Sequence, residues 1–133
     1  ESKDLKKIIL EKEQAEKIFN DIANEVSLKR IENAKKMDEQ INLELPDLKL
    51  DGATFKTCIE QSEKPKRDGI DDIKFLIKTN PKSELGHFNK ITSGGELCRF
   101  ALAIKVVSSK IKKNSIVFDV KNFLPKNLSD ITL

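Results

Sequence analysis

A chain of 133 residues that is 38% apolar and 35% charged has room for about one domain with a modest core. Its 25 basic and 22 acidic side chains leave a formal charge of +3, too near balance to argue for a nucleic-acid ligand on net charge alone. No apolar run approaches the roughly 20 residues that span a bilayer, and the amino terminus has no basic-then-apolar signal segment, so a cytosolic protein is the expectation.

Residues 3 to about 43 contain neither Gly nor Pro and are rich in Lys, Glu, Leu, Ile and Ala, which predicts one long helix or two nearly continuous ones. Ile8, Ala15, Phe19, Ile22 and Val26 fall on a heptad-like seam interrupted by Lys12, and Ile31, Ala34, Ile41 and Leu45 resume it with a shift. Glu13 with Lys17, Glu25 with Lys29 and Glu32 with Lys36 are i,i+4 pairs in the favourable order, as expected on a wet helix surface. Two readings fit this segment: an amphipathic helix packed on its own domain, and a coiled-coil arm, which needs a repeat sustained over about three or four heptads. Residues 1–45 carry 9 basic and 11 acidic side chains and the remainder 16 and 11, which assigns any basic surface to the second part.

Pro46 and Gly52 in "LPDLKLDG" end the helical pattern. In "ATFKTCIE" Ala53, Phe55, Thr57 and Ile59 share one face and Lys56 and Glu60 the other, the period-two signature of a half-buried strand. In "DDIKFLIK" Ile73, Phe75 and Ile77 alternate with Asp72, Lys74 and Lys78, so a second strand follows. The intervening "QSEKPKRDG" reads as a polar connection, giving an antiparallel pair with a long exposed loop. Cys58 and Cys98 lack the paired spacing of a zinc site or a redox motif and are taken as reduced thiols.

After an irregular "TNPKSELGHFNK", the residues Leu97, Phe100, Ala101, Ile104, Val107 and Ile111 trace helical spacing from Glu96 to Lys113, with Lys110, Lys112 and Lys113 placed well for the helix dipole. "SIVFD", residues 115–119, reads as a short buried strand ending in a carboxylate, and strand after helix suggests an α/β layer. Ser93 and Glu96 have the spacing of a capping box. That pattern does not account for Gly94 and Gly95 between them, where almost any other residue would cost less chain entropy. Glycines at a helix N-terminus let another molecule approach exposed backbone amides at the positive end of the dipole, the arrangement that binds phosphate.

"SGGEL" followed by an amphipathic helix and "SIVFD" resembles the signature motif and Walker B strand of ATP-binding-cassette ATPases of the branch related to structural-maintenance-of-chromosomes proteins. The string "DGIDDIKFLIKTNPKSELGHFNKITSGGELCRFALAIKVV" narrows this, being similar to the segment before and through the signature of the RecN family of bacterial DNA repair proteins; the resemblance covers roughly residues 20 to 119. It implies an α/β fold in which a long amino-terminal coiled-coil-type helix (1–45) leads into the signature-motif lobe of an ABC-type ATPase head (46–119), followed by a divergent tail (120–133). The helix would then be the returning strand of a coiled-coil arm.

The resemblance also implies roles. Ser93, Gly94 and Gly95, with Glu96, would contact ATP held by an opposing head, in trans. Glu96 and Arg99 would order the signature helix, while a solvent-facing or salt-bridging role fits each equally. Asp119 would help hold magnesium at the phosphates; its alternative is a strand-end acid that caps the next turn. The implied cofactors are ATP and Mg, and the implied partner is an opposing RecN-like head or a complementary fragment. DNA phosphates are a further partner through Lys and Arg of the second part. The implied setting is recombinational repair of double-strand breaks in the bacterial cytoplasm, at the nucleoid.

The chain departs from the family pattern as well. It has no G-x-x-x-x-G-K-[ST] phosphate loop, and "GATFKT" at 52–57 is a chance likeness that precedes a strand. Val120 stands where the family's catalytic glutamate follows the aspartate, and a valine cannot polarise water. His87 precedes the signature and reads as a loop or partly packed histidine. The expectation is therefore a carboxyl-terminal head lobe cut at both ends that does not hydrolyse ATP alone, with residues 120–133 arising from a reading-frame shift near codon 119. The rival readings are a non-catalytic module that pairs helices through residues 3–43, and a nonfunctional remnant.

Overall fold

The computed structural model describes residues 1–90 and 93–110, together with the backbone of Phe118–Asp119 and Ile131–Thr132. One uninterrupted helix, α1 (Ser2–Glu44), fills the Gly- and Pro-free segment and extends about 65 Å at 1.5 Å per residue. Pro46 opens a single 3-10 turn at Pro46–Leu48, and Lys49 in the left-handed region (φ 57) turns the chain toward the sheet. Gly52 is also left-handed (φ 77), and a Cβ there would stand 2.7 Å from the ring carbons of Pro81, so both conformation and space require glycine.

The strands β1 (Thr54–Lys66), β2 (Gly69–Lys78) and β3 (Gly86–His87) form an antiparallel sheet in the order β1-β2-β3. Period-two alternation sets its register. Phe55 opposes Ile77, Thr57 opposes Phe75 and Ile59 opposes Ile73 on the inner face; Lys56 opposes Leu76 and Cys58 opposes Lys74 on the outer one. A wet outer face is normal for an antiparallel sheet. The expected long loop is absent: β1 runs on through Lys66, the register shifts between Gln61 and Lys66, and only Arg67 and Asp68 connect the strands. The Asp68-Gly69 step explains the tight reversal, since Gly69 adopts φ 125, which L residues rarely reach. Pro65 is tolerated because it lies in the irregular stretch of an edge strand.

After a 3-10 turn at Phe88–Lys90 comes α2 (Gly94–Lys110). The apolar spacing begins at Glu96, but the helix itself starts at Gly94, directly after the Ser93 cap as the capping pattern predicts, and the expected continuation to Lys113 lies outside the described residues. Its buried stripe, Phe100, Ala103, Ile104 and Val107, meets Ile41 of α1, Leu45 just after that helix, Leu50, Phe55 of β1 and Ile77 of β2 in one core. Phe55 and Phe100 are fully buried and each contributes about 2–3 kcal/mol through removal from water. Phe75 packs on Phe55 with ring centroids 5.4 Å apart. An ion pair from Lys110 to Glu44 ties the C-terminal end of α2 to that of α1.

The two halves of α1 differ. Ala23, Arg30 and Ile41 are buried against the sheet and α2, whereas residues 1–18 are exposed throughout. The expected seam is thus corrected in part. Ile41 and Leu45 enter the core, but Ile8, Ile22 and Ile31 are more than half exposed, because the domain lies only under the second half and uses the stripe at Ala23, Ser27, Arg30, Met37 and Ile41. The i,i+4 pairs Glu25–Lys29 and Glu32–Lys36 form on the wet side at 3.0 and 2.5 Å.

Of the expected strand at 115–119, Phe118–Asp119 forms β4; residues 115–117 and every side chain of this segment lie outside the described residues. The tail, which carries no strand pattern in sequence, supplies β5 (Ile131–Thr132), parallel to β4 with Phe118 opposite Ile131 and Asp119 opposite Thr132.

Candidate functional site

The N-terminus of α2 stands out from the core that holds its underside. Phe100 is fully buried, and the ring of Phe88 meets it edge-on at 6.0 Å, bracing the first two turns from the segment that precedes them. Ser93 acts as the cap: its carbonyl accepts the Leu97 N–H at 3.1 Å and its Oγ accepts the Glu96 N–H at 3.4 Å. The reciprocal half of the capping box is not made among the described residues, where Glu96 returns no bond to Ser93.

Ser93, Gly94 and Gly95 are exposed and Glu96 is half-buried. Neither glycine has a positive φ. A Cβ on Gly94 would meet nothing within 4 Å, and one on Gly95 would meet only Ser93 Oγ at 3.9 Å. Alanine would fit both positions and favour the helix by about 1 kcal/mol each. Among the described residues nothing in the packing asks for glycine there, in contrast to Gly52. The bare amides of the first turn remain open at the positive end of a 17-residue helix, a surface that an anion can approach closely. Cys98 and Arg99 flank this surface, both exposed, and among the described residues Arg99 makes no ion pair.

The site residues expected from sequence are therefore brought together only in part. Ser93, Gly94, Gly95 and Glu96 form one helix start; the side chain of Asp119 lies outside the described residues. His87 is exposed at the edge strand β3. Cys58 and Cys98 are free thiols, and among the described residues no cluster of His, Cys, Asp or Glu could hold a metal ion. No described helix is long and apolar enough to cross a membrane.

Sequence reasoning missed the polar contacts between α1 and the sheet. Asp38 accepts the Thr57 N–H at 3.0 and 2.9 Å through its two oxygens and the Thr57 hydroxyl at 2.7 Å. Burial pushes the Asp38 carboxyl above its ordinary range, an effect that the Thr57 bonds and the charge of Lys56 oppose. Farther along, Arg30 pairs with Asp71 at 2.9 Å with both side chains buried. The available signal was polar residues at i, i+3 spacing, Ser27 and Arg30, inside an apolar stripe.

Comparison with known proteins gives the class first: the chain is homologous to bacterial DNA repair proteins. No family model matches it. It is 44% identical over 99 residues to the DNA repair protein RecN of Rickettsia prowazekii, covering 74% of this chain and 18% of that protein. It is 34% identical over 99 residues to RecN of Vibrio cholerae (73% and 18%) and 36% identical over 127 residues to RecN of Bacillus subtilis (81% and 22%). The chain is thus similar to RecN proteins over about three quarters of its own length, and it spans about a fifth of the length of the curated relatives it matches.

Proposed function

We propose that the chain is the signature-bearing part of a RecN-like ATPase head, with residues 1–45 as arm and 46–119 as head lobe, acting in recombinational repair of DNA double-strand breaks. Ser93, Gly94, Gly95 and Glu96 bind the γ-phosphate end of ATP held on the phosphate loop of an opposing head or complementary fragment. The observation that carries this reading is the pair of glycines whose Cβ positions are open on a helix start braced from beneath. Backbone N–H groups of the first turn donate to phosphate oxygens, and absent side chains let the two surfaces meet. Magnesium, when bound, screens phosphate charge; for Asp119 as its ligand the support is the sequence resemblance alone. The same holds for a bacterial cytoplasmic location and for DNA contacts. With no phosphate loop in this sequence and Val120 in the glutamate position, ATP turnover depends on a partner.

The test supplies a fragment carrying a phosphate loop and measures association with and without MgATP by sedimentation. Association should require nucleotide, and Ser93→Arg should abolish it by filling the phosphate surface. Equal association by the variant would reduce Ser93 to a cap. A second reading, helix pairing through the arm, has its own observation: Leu5, Ile8, Ile9, Leu10, Ile18 and Ile22 are 47–61% exposed on the first half of α1. Pairing of that kind persists without nucleotide, which separates the two.

A further inference from the structure

Two sets of polar contacts attach α1 to the sheet, about 16 Å apart along the helix axis. At the lower one, Asn42 and Asp38 grip the edge of β1 at Phe55 and Thr57. At the upper one, Arg30 donates through Nη1 to Asp71 Oδ2 at 2.9 Å and through Nη2 to the Asp68 carbonyl at 2.8 Å, while Ser27 Oγ donates to Asp71 Oδ1 at 2.7 Å. The Arg30 and Asp71 side chains are 5% and 4% exposed. The hairpin turn is shaped to admit the guanidinium: a Cβ on Gly69 would stand 3.0 Å from Arg30 Nη1.

Stability alone does not account for this arrangement. Burying both charges carries a desolvation cost, and apolar pairs of similar volume commonly serve as well or better. What an apolar pair lacks is direction. A planar guanidinium bonded to the carbonyl of turn residue Asp68 and to the carboxylate of Asp71, at the start of β2, fixes both the rotation and the lateral position of the helix that carries it. A rod held at one point swings, and a rod held at two keeps its angle. Residues 1–18, about 27 Å of helix, are exposed throughout, so a small swing at Arg30 becomes a large displacement at the free end.

We propose that Ser27, Arg30 and Asp71 form a clasp that fixes the crossing angle of α1 on the hairpin and so makes arm, sheet and α2 one rigid lever. The lever runs through Ile41, Phe55 and Ile77 to Phe100, beneath the exposed start of α2. Only the use of the lever, carrying arm position to the nucleotide contact, rests on the function proposed above. The geometry itself is testable without nucleotide, so the two ideas fail separately.

Spin labels on Asn20→Cys and Lys64→Cys, both exposed positions, in a Cys58→Ser, Cys98→Ser background of this chain report the distance from arm to hairpin end by pulsed electron resonance. The unaltered clasp should give one narrow distance distribution. Arg30→Met with Asp71→Leu should keep the melting temperature within a few degrees yet broaden the distribution, with a population at longer distance. Arg30→Lys keeps the charge without the fork and should broaden it less. A folded double variant with the original width overturns the clasp. If the double variant does not fold, an Arg30→Lys distribution as narrow as the original overturns it equally, and a broadened one supports it.

Discussion

Asn42 lies against the edge of β1 as a neighbouring strand would: its Nδ2 donates to the Phe55 carbonyl at 2.8 Å and its Oδ1 accepts the Phe55 N–H at 2.8 Å. One side chain thus satisfies both outward backbone groups of a residue whose ring is fully buried in the core. Two residues on, Asp38 does the same for the Thr57 N–H. Edge strands leave such groups unpaired, and here a helix covers them in place of another strand.

Asn42→Ala removes both partners at once and leaves a part-buried N–H and C=O unmatched. The expected cost is about 1–3 kcal/mol, read as a lower midpoint in urea unfolding. Asn42→Asp keeps an acceptor for the Phe55 N–H but loses the donor and should fall between the two. A midpoint unchanged in the alanine variant would mean that water replaces the side chain without loss.

The glycines separate into two kinds, and one substitution distinguishes them. Gly52→Ala puts a Cβ into a left-handed conformation and against Pro81 at 2.7 Å, so it should destabilise by more than about 1 kcal/mol. Gly95→Ala enters open space in a helix and should stabilise by up to about 1 kcal/mol. The same Gly95→Ala should weaken MgATP-dependent association with a phosphate-loop fragment. A variant both more stable and equally associating would remove the reason offered for that glycine.

Truncation beneath the site should act through folding. Phe100→Ala empties a fully buried ring position shared by both helices and the sheet, and removes the surface on which Phe88 rests. A loss of about 3–5 kcal/mol is expected, a large fraction of the stability of a domain this size, visible as a collapsed thermal transition. Phe100→Leu should retain most of it. If Phe100→Ala melts like the parent, the core is not continuous through α2.

Local patterns with one dominant cause were legible in the sequence. The absence of Gly and Pro from 3 to 43 and the alternation in "ATFKTCIE" and "DDIKFLIK" each report a single periodicity, and α1, β1 and β2 follow them. The connection was misread because Ser62, Glu63, Lys64 and Lys66 are polar on an exposed edge and so look like loop, while the signal that mattered was Gly69 after Asp68. The burial of Arg30 and Asp71 was not legible, because each is an ordinary surface residue until the hairpin folds back on the helix and brings residues 41 positions apart together. The helix start at Ser93 was legible as a cap; the open space before its glycines was not, because the neighbours of a helix start are set by the tertiary fold.

Asp38 gives a pH dependence whose sign is fixed by its surroundings. Burial raises its pKa above the ordinary 3.8, with the Thr57 bonds and Lys56 charge opposing that shift without reversing it. Between 3.8 and the raised folded value, the native protein still holds a proton that the unfolded chain has released. Stability from this group is therefore complete below 3.8 and lost as pH rises through the folded pKa. Asp38→Asn abolishes the titration and keeps an oxygen to accept from Thr57. The unfolding free energy of the parent minus that of the variant should fall as pH rises across this window and level off above it. Exposed Glu32 and Glu60, whose pKa values are lowered by bonds to Lys36 and Lys74, run the opposite way. They are common to both proteins and cancel in the difference. Urea unfolding of the pair over an acid-to-neutral series measures it, and a difference that is flat or rises with pH would show that burial does not govern this carboxyl.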